Sequence, residues 1–136
     1  MTVVLVSNVL YAALVSHGLC REVFLITARF NTLITSKSLV VELEEGIHRQ
    51  LGHTPSTRQF LRHFRKKVQL VNPEPIHPPV CRDADDDVVL GTALAANADC
   101  IVTGDKDLLI LGTFRKIPIL TPREYINAME SGSLGR

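Results

Sequence analysis

Ala98-Asp99-Cys100-Ile101-Val102-Thr103-Gly104-Asp105-Lys106-Asp107-Leu108-Leu109 is the stretch that decides the fold. Cys100 to Thr103 is a short apolar run without polar alternation, the pattern of a strand buried on both faces of a parallel sheet. Gly104 turns the chain, and Asp105 to Leu111 predicts a short helix. Asp105 therefore stands just past the carboxyl end of a strand, where open parallel sheets carry their sites. A solvent-facing turn aspartate is the other reading of that residue.

The same alternation of strand and helix repeats outward. Val3 to Val6 is a second apolar, β-branched run, and Ser7-Asn8 offers N-cap chemistry for a helix from Val9 to about Ser16. Arg21 to Phe30 has apolar residues at helical spacing. Thr32 to Thr35 reads as a strand, and Ser36 or Ser38 opens a helix through about Gln50. Thr54-Pro55 is a capping hydroxyl followed by Pro at the first helical position, which starts a fourth helix to about Lys67. Val68 to Val71 reads as a strand. Pro73, Pro75, Pro78 and Pro79 then exclude helix or central strand, so 72–79 is expected to be an ordered loop. Asp83 to Asn97 predicts a helix whose acidic start suits its dipole. Ile117 to Leu120 is a fifth strand, placed at an edge by Pro118. Thr121-Pro122 opens a last helix to about Met129. The expectation is one α/β domain over 1–130, with about five parallel strands, helices on both faces and a flexible polar tail at 131–136.

Composition narrows the class. The 136 residues are 46% apolar but only 5% aromatic and lack Trp, so the core must rest on Leu, Val, Ile and Ala. No apolar run approaches the roughly 20 residues that span a bilayer. The N-terminal segment lacks a basic leader and a small-residue cleavage site, so it is not read as a signal peptide. Cys20, Cys81 and Cys100 are odd in number and widely spaced, which argues against a zinc knuckle or a disulfide framework. Buried thiols in a reducing cytoplasm are the expectation. Net charge is +1, but 1–67 hold nine Lys/Arg against four Asp/Glu, and 68–136 hold six against ten. A basic half beside an acidic half suggests a metal site next to a phosphate-attracting surface.

Asp83-Ala84-Asp85-Asp86-Asp87 is the most unusual segment. Helix-dipole preference accounts for one or two of its four carboxylates, and the rest repel unless a cation or solvent screens them. Counted from Asp83, an EF-hand's glycine and glutamate places hold Val88 and Leu94, so a calcium loop is excluded. Glu42 follows Leu39 by three places and precedes Leu43 and Ile47, which sets it near the core-facing edge of its helix. Glu44 and Glu45 suit the solvated face. His48 and His53, five apart, do not share a helix face. Arg58, Arg62, Arg65 and Lys66 recur at three- or four-residue steps, a basic stripe that serves either RNA or solvent. Phe60 and Phe64 are expected to face the core. No nucleotide-binding glycine fingerprint is present. A phosphoaspartate receiver would need an acid at the end of the first strand, where Val6 stands.

Four blocks together resemble the PIN-domain family. They are Val3 to Leu10, Ser36 to Leu43, Asp83-Ala84-Asp85-Asp86-Asp87 leading to Ala93, and Ala98 to Leu109, and the likeness covers about residues 2–127. The last block is similar to the branch formed by toxin components of toxin–antitoxin modules. The resemblance implies a metal-dependent ribonuclease with four site acids. Carried over, they fall on Glu42, on Asp86 with Asp83 as fallback, and on Asp105, with Asn8, Thr103 and Asp107 as supporters. The family's first acid, at the end of the first strand, is replaced by Val6. Ser7 cannot substitute, because a one-residue slip turns a strand side chain to the other face.

The implied activity is a Mg²⁺- or Mn²⁺-dependent endoribonuclease, restrained by an antitoxin protein, homodimeric, without membrane attachment and cytoplasmic. Losing a metal ligand implies impaired catalysis in this chain. The alternative is a non-catalytic PIN-fold module that binds RNA or a protein partner. Restoring an aspartate at Val6 is expected to lower metal-free stability by like-charge repulsion.

Overall fold

The computed structural model describes residues 1–132. Along the chain run β1 (Thr2–Leu5), α1 (Ser7–Val15), α2 (Leu19–Phe30), β2 (Thr32–Thr35), α3 (Lys37–Leu51), α4 (Pro55–Lys67) and β3 (Val68–Leu70). There follow α5 (Ala84–Ala95), β4 (Cys100–Val102), α6 (Lys106–Leu109), β5 (Thr113–Phe114), β6 (Ile117–Leu120) and α7 (Pro122–Ser131). The strands form one sheet in the order β3-β2-β1-β4-β6-β5. Every pairing is parallel except β5 with β6.

The expected α/β architecture is present, with six strands instead of five. The addition is β5, two residues that fold back on β6 and pair Thr113 with Pro118 and Phe114 with Ile117. β6 is therefore not an edge strand: β4 flanks one side and β5 the other. A two-residue strand followed by Arg115 and Lys116, both at positive φ, leaves no periodic signal in sequence.

Alternation along the central strands builds two cores. Val3, Leu5, Leu33, Cys100 and Val102 face one side, where Val9, Val23, Phe24, Ile47, Phe64 and Tyr125 pack on them. Val4, Ile34, Ile101 and Ile119 face the other, against Leu39, Ile76, Leu90 and Leu108. Strands buried on both faces carry no polar alternation, which is why they read as continuous apolar runs. Phe64 is in the first core, and Phe60 packs against it with its ring centroid 5.1 Å from that of Phe24, the two rings tilted by 40°.

Local chemistry sets the helix ends. Thr54 and Thr57 form a reciprocal capping box at α4, and Thr121 and Glu124 form another at α7, each followed by Pro in the first turn. The cap of α1 is Val6, not Ser7 or Asn8, so this helix begins two residues earlier than expected and has no side-chain cap bond. α7 runs through Ser131, and Gly132 caps it in the left-handed region. Of the tail expected at 131–136, only 133–136 lie outside the described residues. Among the described residues no single helix is long and apolar enough to cross a membrane; α1 and α2 reach that length only together, bent by 110°.

The proline-rich loop is ordered by α5. Glu74 N–H donates to Gly91 O at 3.0 Å, Ile76 is buried, and Asp87 accepts the Cys81 N–H at 2.9 Å. This seats the chain that leads into Asp83.

Candidate functional site

The carboxyl edge of the sheet carries the candidate site. Val6 N–H donates to Val102 O at 3.0 Å, which continues β1 along β4 and sets Val6 beside Thr103. Continuing the register of β1 on β2 by two residues sets Val6 beside Ser36 on its other flank. All three belong to the face of Val4, Ile34 and Ile101, the face covered by α5. Ser7 already belongs to α1, so it does not continue the strand row. The edge thus presents Ser36, Val6 and Thr103 in a row beneath the N-terminus of α5.

Asp105 is fixed by its own turn. Its N–H donates to Thr103 Oγ1 at 3.0 Å, and its carboxylate accepts the Asp107 N–H at 3.0 Å, capping α6. Thr103 is fully buried, so this bond rests on a rigid base. Asn8 reaches the same turn by accepting the Gly104 N–H at 3.4 Å. Asn8 and Thr103 therefore both contact the turn that carries Asp105.

Asp86 faces these groups from the first turn of α5. Burial, then the carboxylates of Asp105, Asp83, Asp107 and Asp85, push its pKa up to about 6. Asp83 caps α5 by accepting the Asp85 N–H at 2.9 Å. Glu42 is exposed on α3, one turn beyond Leu39, which packs in the α5-side core. Partial burial of its carboxyl, then Asp85 and Asp83, raise its pKa. After burial, Asp105 is thus the carboxylate that acts most on Asp86, whereas the carboxylates that act on Glu42 are Asp85 and Asp83. Among the described residues, no three His, Cys, Asp or Glu side chains already stand close enough to hold an ion between them.

Sequence reasoning missed three features of this region. Arg82 pairs with Asp107 at 2.8 Å, with side chains 86% and 42% exposed, so the pair is screened and weak. Asp87 is occupied with the Val80 and Cys81 backbone and is a tether of the loop. Ser36 Oγ is buried with no hydrogen-bond partner. Only its position at a strand end hinted at that.

The donor chemistry fits a hard divalent cation. The groups are oxygens, and Asp86 carries more neighbouring negative charge than the chain neutralises. Two neighbouring carboxylates would suit an ion that keeps several waters, as Mg²⁺ does. They do not make a closed protein cage. Ser36 Oγ, beside Val6 by the register of β1 on β2, is a buried hydroxyl without a partner on this face.

The basic stripe lies elsewhere. Glu44 leaves the solvated face expected for it and pairs with Arg65 of α4. His48 and His53 stack, with ring centroids 3.6 Å apart, because Gly52 at positive φ turns the chain back after α3. Helix periodicity could not anticipate that contact, since His53 is no longer on the helix.

A mostly parallel sheet with helices on both faces, Asp105 past the end of β4 and Asp86 in the first turn of α5 define an α/β domain with a candidate oxygen-donor edge. A family profile described as PIN domain matches residues 2–107, and the chain belongs to the PIN-domain family. Members of that family generally use divalent metal ions. No curated protein matches the chain. Among solved structures it is similar in fold to a chain of VapBC2 from Rickettsia felis, crystallised bound to a DNA fragment from their promoter. The TM-score is 0.65 at 15% identity, covering 89% of this chain and 98% of that one.

Proposed function

We propose that this chain is a divalent-metal-dependent endoribonuclease of toxin–antitoxin type, impaired by Val6. The observation that carries the reading is a PIN-domain sheet with Asp105 at its carboxyl edge and Asp86 near enough for that carboxylate, after burial, to raise its pKa. Asp86 and Asp105 would hold Mg²⁺ or Mn²⁺, with Glu42 completing the set from α3. Such an ion, when bound, activates water and stabilises charge on the phosphoryl oxygens. Thr103 and Asn8 hold the Asp105 turn in place, and Asp83 fixes the first turn of α5. The likeness to VapBC2 supports an antitoxin protein as partner. Val15, Leu25 and Phe30, apolar and exposed on α1 and α2, support a homodimer. Cytoplasmic residence and a single domain over 1–130 belong to the same proposal.

The test is Val6→Asp, compared with the parent chain in melts and in an RNA-cleavage assay with and without Mn²⁺. Ligand loss implies at least about 10–100-fold weaker metal binding in the parent, which the variant should regain. The variant's carboxylate would also occupy the uncapped N-terminus of α1, where an acidic cap contributes about 1 kcal/mol. That offsets repulsion from Asp105, so metal-free stability should stay near the parent's, in place of the drop expected from charge alone. Saturating Mn²⁺ at about 100 Kd should then add about 2.7 kcal/mol. Equal activity of the two proteins would sink the assignment of Val6. The second reading, a non-catalytic module, is favoured by Val6 itself. Tight Mn²⁺ binding by Val6→Asp without any RNA cleavage would establish it.

A further inference from the structure

We infer that the cleft between α3 and α4 is a second, phosphate-reading site for single-stranded RNA, separate from the acidic edge. The inference deepens the ribonuclease reading and rests on it for the identity of the polymer. The cleft holds a cavity of about 500 Å³. Its walls are His48, His53, Arg58, Arg62, Arg65 and Lys66, with Glu44 and Leu61 completing them. Four cations face one carboxylate, and Arg65 already engages it. Among the described residues, Arg58, Arg62 and Lys66 have no ion-pair partner. Unpaired cations crowded around a cavity repel one another and are relieved by a bound polyanion.

The shape favours a nucleic acid over an acidic peptide. Arg58, Arg62 and Arg65 follow one face of α4 over about 10 Å, at 1.5 Å per residue. That is a track for successive phosphates and not a socket for one. The stacked imidazoles of His48 and His53 add a flat ring surface of the kind on which unpaired bases stack. Leu61 is the one aliphatic wall, so a peptide would find little apolar surface. The site is also distinct from the acids. At 100° per residue, Glu44 and His48 lie about 200° and 240° around α3 from Glu42. The basic cleft and the acidic edge therefore flank α3, and a strand held in the cleft crosses about one helix width to reach Asp86 and Asp105.

The test measures RNA binding in EDTA, where cleavage plays no part. A labelled single-stranded oligoribonucleotide of about 12 nucleotides suits the roughly 4–16-nucleotide footprints of such sites. Anisotropy titrations compare the parent, the double variant R58Q/R62Q, and R115Q/K116Q, which removes the same charge at the turn between β5 and β6. Arg58 and Arg62 are exposed, so melting temperatures should stay within a degree or two of the parent's. In R58Q/R62Q, affinity should fall about tenfold or more at about 0.1 M salt, and the log–log salt slope should become shallower by about 1.4. The control should stay within about twofold of the parent. Equal losses in both variants, or none in R58Q/R62Q, would overturn the cleft. So would a polyglutamate peptide that displaces the RNA below the RNA's own Kd, which would make the occupant an acidic protein segment. Cleft-dependent binding in EDTA, with no cleavage by Val6→Asp in Mn²⁺, would leave the cleft standing and remove the nuclease.

Discussion

Replacing Gly91 with alanine should destabilise the protein, although alanine is the better helix former. Gly91 lies inside α5 and is buried. A methyl carbon built there would overlap the Glu74 carbonyl oxygen, which is backbone and cannot swing aside. The loop must lift, and the Glu74 N–H to Gly91 O bond at 3.0 Å goes with it. That bond contributes about 1 kcal/mol net. Ile76 is 9% exposed on the same segment, and releasing it forfeits about 2 kcal/mol of burial. Helix propensity returns about 1 kcal/mol, leaving a net loss of about 2 kcal/mol. For a chain of this size that lowers Tm by roughly 8 °C. The matched control is Gly46→Ala in α3, where the added carbon would meet only the tip of the Arg49 side chain at 3.9 Å. It should gain about 1 kcal/mol and raise Tm by roughly 4 °C. Both variants are melted in EDTA. A Gly91→Ala protein as stable as the parent, or more so, would refute the argument that the loop is clamped onto α5. Because this loop delivers Asp83 to Asp87, Gly91→Ala should also weaken Mn²⁺ binding by any chain competent for it.

Tyr125 is fully buried, and burial raises its pKa despite hydrogen bonds with Thr27 and Asn31. A raised acid pKa favours the folded state below the unfolded value, so stability should fall as pH climbs past about 10; urea melts across pH 9–11.5 should show a drop that Tyr125→Phe flattens. Cys100 is buried and held up at about 12, so native protein at pH 8 should resist alkylation there until it unfolds, as peptide mapping would report. Thr54→Ala removes one half of the α4 capping box and should lower stability by about 1 kcal/mol in chemical denaturation.

The central strands were legible because a doubly buried strand is dominated by apolar and β-branched residues, and Val3 to Leu5, Leu33-Ile34 between two threonines and Cys100 to Val102 satisfy that locally. The Thr-Pro helix starts were legible because the capping box is a sequence-local bond. β5 was not, since two residues paired through a turn at positive φ have no periodicity. Nor was the cap at Val6, because valine carries no capping signal and the helix starts there without one. In the site, Asp105 stood out by its place past a strand end and Asp86 was singled out from its acidic run only by resemblance, whereas the engagement of Asp87 with the Val80–Cys81 backbone and of Asp107 with Arg82 depends on how the proline loop settles. The stacking of His48 on His53 depends likewise on Gly52, whose conformation is set after the helix has ended.

Ser36 offers the sharpest check on where the missing acid belonged. Its hydroxyl is buried and unpaired at the end of β2, beside Val6 by the register of β1 on β2. An unpaired buried hydroxyl costs about 1–3 kcal/mol, so Ser36→Ala in the parent should be neutral or stabilising by about 1 kcal/mol. A carboxylate introduced by Val6→Asp gives that hydroxyl an acceptor on the same face of the sheet. In that background Ser36→Ala should instead destabilise by about 1 kcal/mol, since it removes a hydrogen bond to a charged group. The two substitutions should therefore couple by about 2 kcal/mol in a double-mutant cycle, well above the 0.3–0.5 kcal/mol scatter of independent sites. Metal is kept out with EDTA, so the cycle reports geometry and not catalysis. Additive effects would mean that the side chain at Val6 does not point at Ser36, and the row of oxygens along the carboxyl edge would lose its middle member.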